Sequence, residues 1–274
     1  MPRRRTWAMR GACRHDKLIR DQFTRQAVPF AQKMASPDRT NFPLLRELTE
    51  VGPEDTVLDV ACGPGIVSCA FAEVAGNVVG LDLTPAMLER ARSVQAEKRI
   101  TNTRWEVGDV YHLPHRDDAF SLVATRYSFH HLSEPGAALA EMVRVCAPGG
   151  RVCVIDMVAS RATSEAFNAA EKLRDPSHVR APTPEDLEAL LTQSGLTDLR
   201  TASYRIEWDL EEQLRASAPA PDDAAKFRTI LRNDVGRDAL GLRARLVRGD
   251  VYYSYLNLAL VAWKANGGGP HDRE

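Results

Sequence analysis

The sequence has few cysteines, and none of them stands at a metal-binding spacing. The five cysteines form no CxxC pair and no Cys/His arrangement typical of zinc sites; they are Cys13, Cys62, Cys69, Cys146 and Cys153. We therefore expect no metal ion, and we expect these side chains to be small, buried and reduced. Reduced thiols are typical of the cytoplasm, which is where we expect the protein to act.

The sequence also lacks an excess of charge and a long hydrophobic run. The formal net charge is −1 and the isoelectric point is about 6.7, so nothing indicates a polyanionic partner such as nucleic acid. The most apolar late stretch, VYYSYLNLALVAW, is shorter than the roughly 20 residues that span a bilayer. No apolar segment follows the basic start, which argues against a secretory signal.

Short apolar runs alternate with helix-like segments from about residue 57 onward. The strand candidates are TVLDVA, VVGLDL, TRWEVGDV, FSLVATRY and RVCVIDM, with two more near residues 196–208 and 251–264. Strands that are almost continuously apolar and alternate with helices are typical of a parallel sheet covered on both faces. We predict an α/β fold with a doubly wound, mostly parallel, seven-stranded sheet and helical lid additions.

We predict that the two ends of the chain are additions to this core. Helical spacing of apolar residues, interrupted by Pro29, predicts a kinked amphipathic segment over residues 15–34 that could cover a pocket. The predicted organisation is an N-terminal helical lid (1–45), an α/β core (46–210), a helical cover (211–250), a last core strand (251–265) and a disordered tail (266–274).

The glycine turn in VLDVACGPGIVS excludes one common nucleotide site and argues against another. No GK[ST] follows it, as a P-loop requires. A dinucleotide fingerprint would place a third glycine where this sequence has Ser68. Asp59, just before the turn, would repel a pyrophosphate but suits a ligand that carries an ammonium group. An NAD-dependent oxidoreductase is therefore disfavoured, although it remains an alternative.

Two further acidic residues follow the next two strands. Asp82 stands 19 residues after Gly63, close to the offset of about 20 at which an acidic residue accepts ribose hydroxyls. Asp109 could accept from an adenine amino group while the backbone N–H of Val110 donates to the ring. A cationic amino-acid tail, a ribose and an adenine together describe S-adenosylmethionine.

Four motifs in order carry a resemblance to a known family. VLDVACGPG, VVGLDLTPAMLERAR, GDVYHLPHRDDAFSLV and FHHLSEPGAALAEMVRVCAPGGRVCVIDM resemble the class I SAM-dependent methyltransferases. The small-molecule branch that includes the ubiquinone/menaquinone-biosynthesis methyltransferases is the most similar. The resemblance implies cofactor contacts at Asp59, Gly63, Gly65, Asp82, Leu83, Met87, Asp109 and Val110. We expect cofactor contacts at Pro64, Gly108 and Arg126 as well. It implies S-adenosylhomocysteine as product. The expected acceptor is an O or C nucleophile of a small molecule, such as a quinone-like or natural-product-like compound.

Candidates for a catalytic base or substrate contact lie beyond the fourth strand. His130 and His131 are adjacent and cannot face the same way, and we favour His130 as the base. His178 and Arg180, in RDPSHVR, could belong to a substrate-facing lid, and Arg126 and Tyr127 could contact the substrate. Because cofactor motifs report binding alone, a SAM-binding scaffold or cyclase-like protein without methyl transfer stays an alternative. We expect a monomer or homodimer.

Overall fold

The computed structural model describes residues 7–34 and 41–266, with side chains described for residues 15–29 and 41–266. The helices are α1 (Trp7–Met34), α2 (Phe42–Thr49), α3 (Ile66–Ala72), α4 (Pro85–Lys98), α5 (Pro135–Val145), α6 (Ser164–Arg174), α7 (Pro184–Gln193), α8 (Leu210–Ser217) and α9 (Pro221–Asp234), with a 3-10 turn at Phe129–His131. The strands are β1 (Thr56–Val60), β2 (Asn77–Asp82), β3 (Thr103–Val107), β4 (Phe120–Arg126), β5 (Cys146–Met157), β6 (Leu196–Asp209), β7 (Arg245–Val247) and β8 (Asp250–Lys264). The tail beyond residue 266, predicted to be disordered, and the side chain of Cys13 lie outside the described residues.

One sheet organises the fold, and it confirms the predicted fold class. Its strands lie in the order β3-β2-β1-β4-β5-β8-β6, which leaves β3 and β6 at the two ends, and β7 pairs with β8. The first five strands are parallel, and β8 runs antiparallel between β5 and β6. The seven predicted strands are thus present, together with the short β7, which the sequence pattern did not indicate.

Alternate strand residues face two different layers of helices. In β1, Leu58 packs in a cluster with residues of α5 and α7, whereas Val57 packs in a cluster with residues of α2 and α3. Both residues are fully buried, as expected for a parallel strand that is covered on both faces. The same alternation places Asp59 on the face of α3.

Local sequence signals fix several helix ends. The Thr183 hydroxyl accepts from the Asp186 backbone N–H and the Asp186 carboxylate accepts from the Thr183 N–H, so a capping box starts α7. Helix α5 ends at Val145, because Cys146 already pairs with Phe120 in the sheet.

The ends of the chain pack against the core. Helix α1 continues through Pro29 and contacts α4 and α8. Residues 211–250 are helical as far as Asp234, and the chain then turns into the β7–β8 hairpin. Within the described ranges, none of the helices combines the length and apolar character needed to cross a bilayer.

The indole of Trp105 in β3 lies close to Gly65 and Gly80 and limits what can replace them. A Cβ on Gly80 in β2 would overlap the Trp105 ring and lie 3.0 Å from the Cys62 sulfur. A Cβ on Gly52 would meet no atom within 4 Å. Trp105 is held in place because its Nε1 donates to Gln95 Oε1 at 2.7 Å.

We expect Gly80→Ala to lower the free energy of unfolding by about 1–3 kcal/mol, since the ring or the strand must move. Gly52→Ala, the matched control, is expected to change it by less than about 0.5 kcal/mol. Urea unfolding followed by circular dichroism measures both. Equal stability of the two variants would contradict the tight packing of Trp105 on β2.

Candidate active site

A large cavity lies beyond the carboxyl ends of β1, β2 and β4, where ligands bind in open parallel sheets. Its volume is about 920 Å³. Strand ends and the loops after them form its floor, and α1 contributes His15, Asp16, Ile19 and Phe23 to its wall. The sequence pattern of Ile19 and Phe23 had indicated a cover. The polar residues of α1 at the wall, Asp16 among them, gave no such signal.

Three alternate residues of the glycine turn after β1 have a positive backbone φ. Ala61, Gly63 and Gly65 have φ values of 55°, 53° and 73°, a region that glycine occupies without a steric cost. Gly63 and Pro64 lie at the cavity wall. Gly65 lies behind it, where a Cβ would stand 2.5 Å from the Trp105 ring and 2.8 Å from Ala91. Gly65 therefore allows the start of α3 to approach its neighbours closely.

The carboxylate of Asp82 joins the loops that follow β1 and β2. Its Oδ2 accepts from the Gly63 backbone N–H at 2.8 Å, and its Oδ1 accepts from the Thr84 N–H at 2.8 Å. The side chain lies at the cavity wall. Because each carboxylate oxygen has two lone pairs, both oxygens can still accept a hydrogen bond from a ligand.

Asp59 is a buried carboxyl whose surroundings favour its neutral form. Ser68, one turn into α3, donates to Asp59 Oδ2. Burial and the nearby charge of Asp82 nevertheless raise the pKa of Asp59 to about 7, against the opposing effects of Ser68 and Arg126. Asp59 lines the cavity, so a cation bound there would lower this pKa and gain from the carboxylate charge.

The third acidic residue follows β3. Asp109 Oδ1 accepts from the Tyr111 backbone N–H at 2.9 Å, which shapes the loop at this edge of the cavity. Asp109, Val110, Leu83 and Met87 all line the wall. Gly108 lies behind it, with its N–H donating to the Asp82 carbonyl. A polar edge beside two apolar side chains suits a flat heterocycle.

Arg126 and Tyr127 end β4 and also line the cavity. The Arg126 guanidinium lies 4.4 Å from the centre of the Tyr127 ring, and its Nη2 donates to the Tyr127 hydroxyl at 3.3 Å. Tyr127 has φ 57°, an uncommon value for a bulky residue that often marks a functional position.

The two adjacent histidines were expected to face different ways, but their rings lie 4.1 Å apart between centres and both border one small cavity. In the 3-10 turn, His130 Nδ1 lies 2.5 Å from Asp156 Oδ1, and its backbone N–H donates to Asp156 Oδ2. His130 borders a small cavity of about 70 Å³ behind the large one. His131 lies at the wall of both cavities. The structure thus brings His131, and not the favoured His130, to the large cavity.

The side chains of His178 and Arg180, in the predicted lid at residues 174–180, do not line the large cavity. His178 is buried, and its Nε2 lies 2.7 Å from Asn168 Oδ1. Burial, with smaller effects of His130 and His131, lowers the pKa of His178 to about 2. The Arg180 side chain is 64% exposed and lies 3.8 Å from Asp186. Neither side chain is among the described residues that line the two cavities, and the Val179 and Arg180 N–H groups donate to the His130 carbonyl.

Comparison with known proteins identifies methyltransferases as relatives of this chain. A family model described as a methyltransferase domain matches residues 58–154. The uncharacterised methyltransferase YcgJ of Bacillus subtilis is 30% identical over 191 residues, which cover 68% of this chain and 76% of YcgJ. The crystal structure of YcgJ superposes with a TM-score of 0.76 at 25% identity over 83% of this chain and 99% of that chain.

This chain belongs to the class I SAM-dependent methyltransferases. Methyltransferase GfsG of Streptomyces halstedii is 30% identical over 64% of this chain and 63% of GfsG. The fold is shared with phosphoethanolamine N-methyltransferase 2 of Haemonchus contortus in complex with S-adenosyl-L-methionine, at a TM-score of 0.59 and 18% identity over 83% of this chain and 52% of that chain.

S-adenosylmethionine is the cofactor of this methyltransferase, and the cavity fits it. The buried carboxyl of Asp59 lacks ion-pair partners among the described residues at salt-bridge distance, which matches a ligand with an ammonium and a sulfonium charge. Oxygen atoms of Asp82 and Asp109 at the cavity wall can accept hydrogen bonds from hydroxyl and amino groups.

The free protein is expected to be destabilised by Asp59 as pH rises. The pKa of this carboxyl is near its ordinary value of 3.8 when unfolded and about 7 when folded, so the folded state binds the proton more tightly. Stability therefore falls between about pH 4 and about pH 7. Asp59→Asn removes this loss and is expected to gain about 2–4 kcal/mol above about pH 7.

Urea unfolding across that pH range measures the effect. Asp55→Asn is the matched control with the opposite sign, because hydrogen bonds from Ser121 and Arg151 lower the pKa of Asp55 despite partial burial. An Asp59→Asn variant whose stability follows the wild-type curve at every pH would contradict the raised pKa.

Proposed function

We propose that this methyltransferase transfers the methyl group of S-adenosylmethionine to an oxygen or carbon nucleophile of a small, quinone-like or natural-product-like molecule. The observation that carries the proposal is the row of acidic side chains along the sheet edge. Because the strand order is β3-β2-β1-β4, Asp109, Asp82 and Asp59 follow one another, and Tyr127 comes next.

Each acidic residue in this row has a proposed part of the cofactor. Asp109 and the Val110 N–H hold the adenine, and Asp82 holds the ribose hydroxyls. Asp59 and the turn at Gly63 and Pro64 hold the amino-acid end. Leu83 and Met87 pack against the adenosine, and Arg126 lies where the amino-acid end would pass. Gly65 and Gly108 act through the shape of the backbone, since both lie behind the wall.

The cover over the cavity favours a small acceptor. Three hydrogen bonds hold helix α1 across the cavity opening. The His15 ring donates to the His131 carbonyl at 2.8 Å, and the Gln22 and Gln26 amides donate to the Ser217 carbonyl. A polymer would need an open groove. A cavity of about 920 Å³ is at the upper end of small-ligand sites, with room for a nucleoside-sized cofactor and a second small molecule.

When bound, S-adenosylmethionine supplies the methyl group, and the bond to its sulfur breaks with the electron pair left on sulfur. The protein orients the acceptor and keeps water away from the reacting atoms. Ile19, Phe23, Leu132 and Tyr127 give the second half of the cavity a mainly apolar wall, which suits an aromatic or polyketide-like body.

Calorimetry with S-adenosylmethionine and S-adenosylhomocysteine tests the cofactor site. Asp82→Ala is expected to weaken both ligands at least 30-fold, or about 2 kcal/mol, because it removes the ribose acceptors and releases Gly63. Glu97→Ala, which truncates an exposed acidic residue of α4, should bind like the wild type. Equal affinities for the two variants would rule out the proposed placement of the ribose.

Release of S-adenosylhomocysteine tests the acceptor class. We expect turnover with a hydroxylated quinol, phenol or polyketide and none with bulk protein or nucleic acid, measured by mass spectrometry of product and cofactor. Methylation of a polymer alone would overturn the proposal. Tight cofactor binding with no turnover on any small molecule would favour the SAM-binding scaffold without methyl transfer.

A further inference from the structure

His131 stands at the junction of the two cavities. It lines both of them together with Phe23 and Tyr127, and the Phe23 ring packs edge-on against the imidazole at 5.0 Å between centres. His131 follows the end of β4, the strand beside β1. In the proposed arrangement of the cofactor, this is the position next to its amino-acid end and reactive sulfur.

Hydrogen bonds fix which ring nitrogen of His131 carries the proton. Nδ1 lies 3.1 Å from the Ser177 carbonyl oxygen and 3.1 Å from Ser177 Oγ. The single hydroxyl proton of Ser177 is used in a 2.5 Å hydrogen bond to Asp175 Oδ1. A carbonyl can only accept, so Nδ1 is the protonated nitrogen.

The other ring nitrogen, Nε2, therefore carries a lone pair. Among the described residues no hydrogen bond to Nε2 is present, whereas Nδ1 of the neighbouring His130 is taken up by Asp156. Burial, followed by the effect of His130, lowers the pKa of His131 to about 4, with Asp175 and Asp156 acting in the opposite direction. The ring is neutral at neutral pH, and Nε2 is available as an acceptor.

We propose that His131 Nε2 accepts a hydrogen bond from the nucleophilic hydroxyl of the acceptor, so that the acceptor is a phenol, enol or alcohol on an apolar body. This inference rests on the proposed function. Ser177 and Asp175 are positioning residues that hold the Nδ1–H tautomer. His131 orients the hydroxyl oxygen so that a lone pair of that oxygen faces the cofactor. As the oxygen bonds to the methyl carbon, the electron pair of the broken C–S bond stays on sulfur and the hydroxyl proton passes to Nε2.

The same geometry disfavours an acceptor that reacts as a free carboxylate at His131. An anionic oxygen has no proton to give to Nε2. A tertiary amine also lacks the proton that Nε2 requires. The specificity of this site is therefore for neutral acceptors that donate a hydrogen bond.

His131→Asn and His131→Gln separate the two ring nitrogens. Asparagine keeps a donor for the Ser177 carbonyl but has no acceptor at the Nε2 position, whereas glutamine can place its amide oxygen there. With the hydroxylated acceptor found by the turnover screen, His131→Asn is expected to lose at least about tenfold in kcat/KM, and His131→Gln should recover part of the loss. Both variants should keep the wild-type affinity for S-adenosylhomocysteine.

A measurement made without a methyl acceptor determines the tautomer of His131. Nitrogen-15 NMR of histidine-labelled protein loaded with S-adenosylhomocysteine, with the signal assigned by its loss in His131→Gln, should show Nδ1–H and an unprotonated Nε2. Protonation at Nε2, or unchanged kcat/KM in His131→Asn, would overturn the proposal. Absence of turnover in the wild type would count against the proposed function instead, and the NMR result would still decide the state of His131.

Discussion

The bidentate use of the Asp82 carboxylate is the interaction on which the rest of the site depends. One oxygen holds the Gly63 N–H and the other holds the Thr84 N–H, so two loops that are distant in sequence share one rigid support. The loop after β1 ends at the N-terminus of α3, and the loop after β2 ends at the N-terminus of α4. Both helices and the cavity floor between them are thereby set by one side chain.

This arrangement places two acidic side chains in a buried site, which lowers the stability of the ligand-free protein. Asp59 and Asp82 are both buried, and burial raises the pKa of each. Such a pair stabilises the free protein poorly, but it provides a strong field for a cationic ligand in surroundings of low dielectric constant. Ser68 and the two backbone donors reduce the cost enough for the carboxyl groups to stay in place.

The sequence was sufficient to predict the fold and the row of acidic residues, because both depend on local patterns. Apolar strands alternating with helices define a parallel sheet, and the carboxyl ends of neighbouring strands meet at one edge. The assignment of the histidines depends on contacts that no local pattern contains. His131 reaches Ser177 across 46 residues, and the turn that predicted a lid at His178 instead packs under His130. Gly65 likewise owes its role to the position of Trp105, a residue from another strand.

The place of β6 at one end of the sheet has a consequence for how copies of this enzyme meet. A long strand with a free edge offers unpaired backbone groups to any extended chain, and β6 runs over Leu196–Asp209. Charged side chains occupy this strand at Arg200, Arg205 and Glu207, and such residues discourage edge-to-edge pairing. Extension of the sheet at β6 is thus an unfavourable route to self-association.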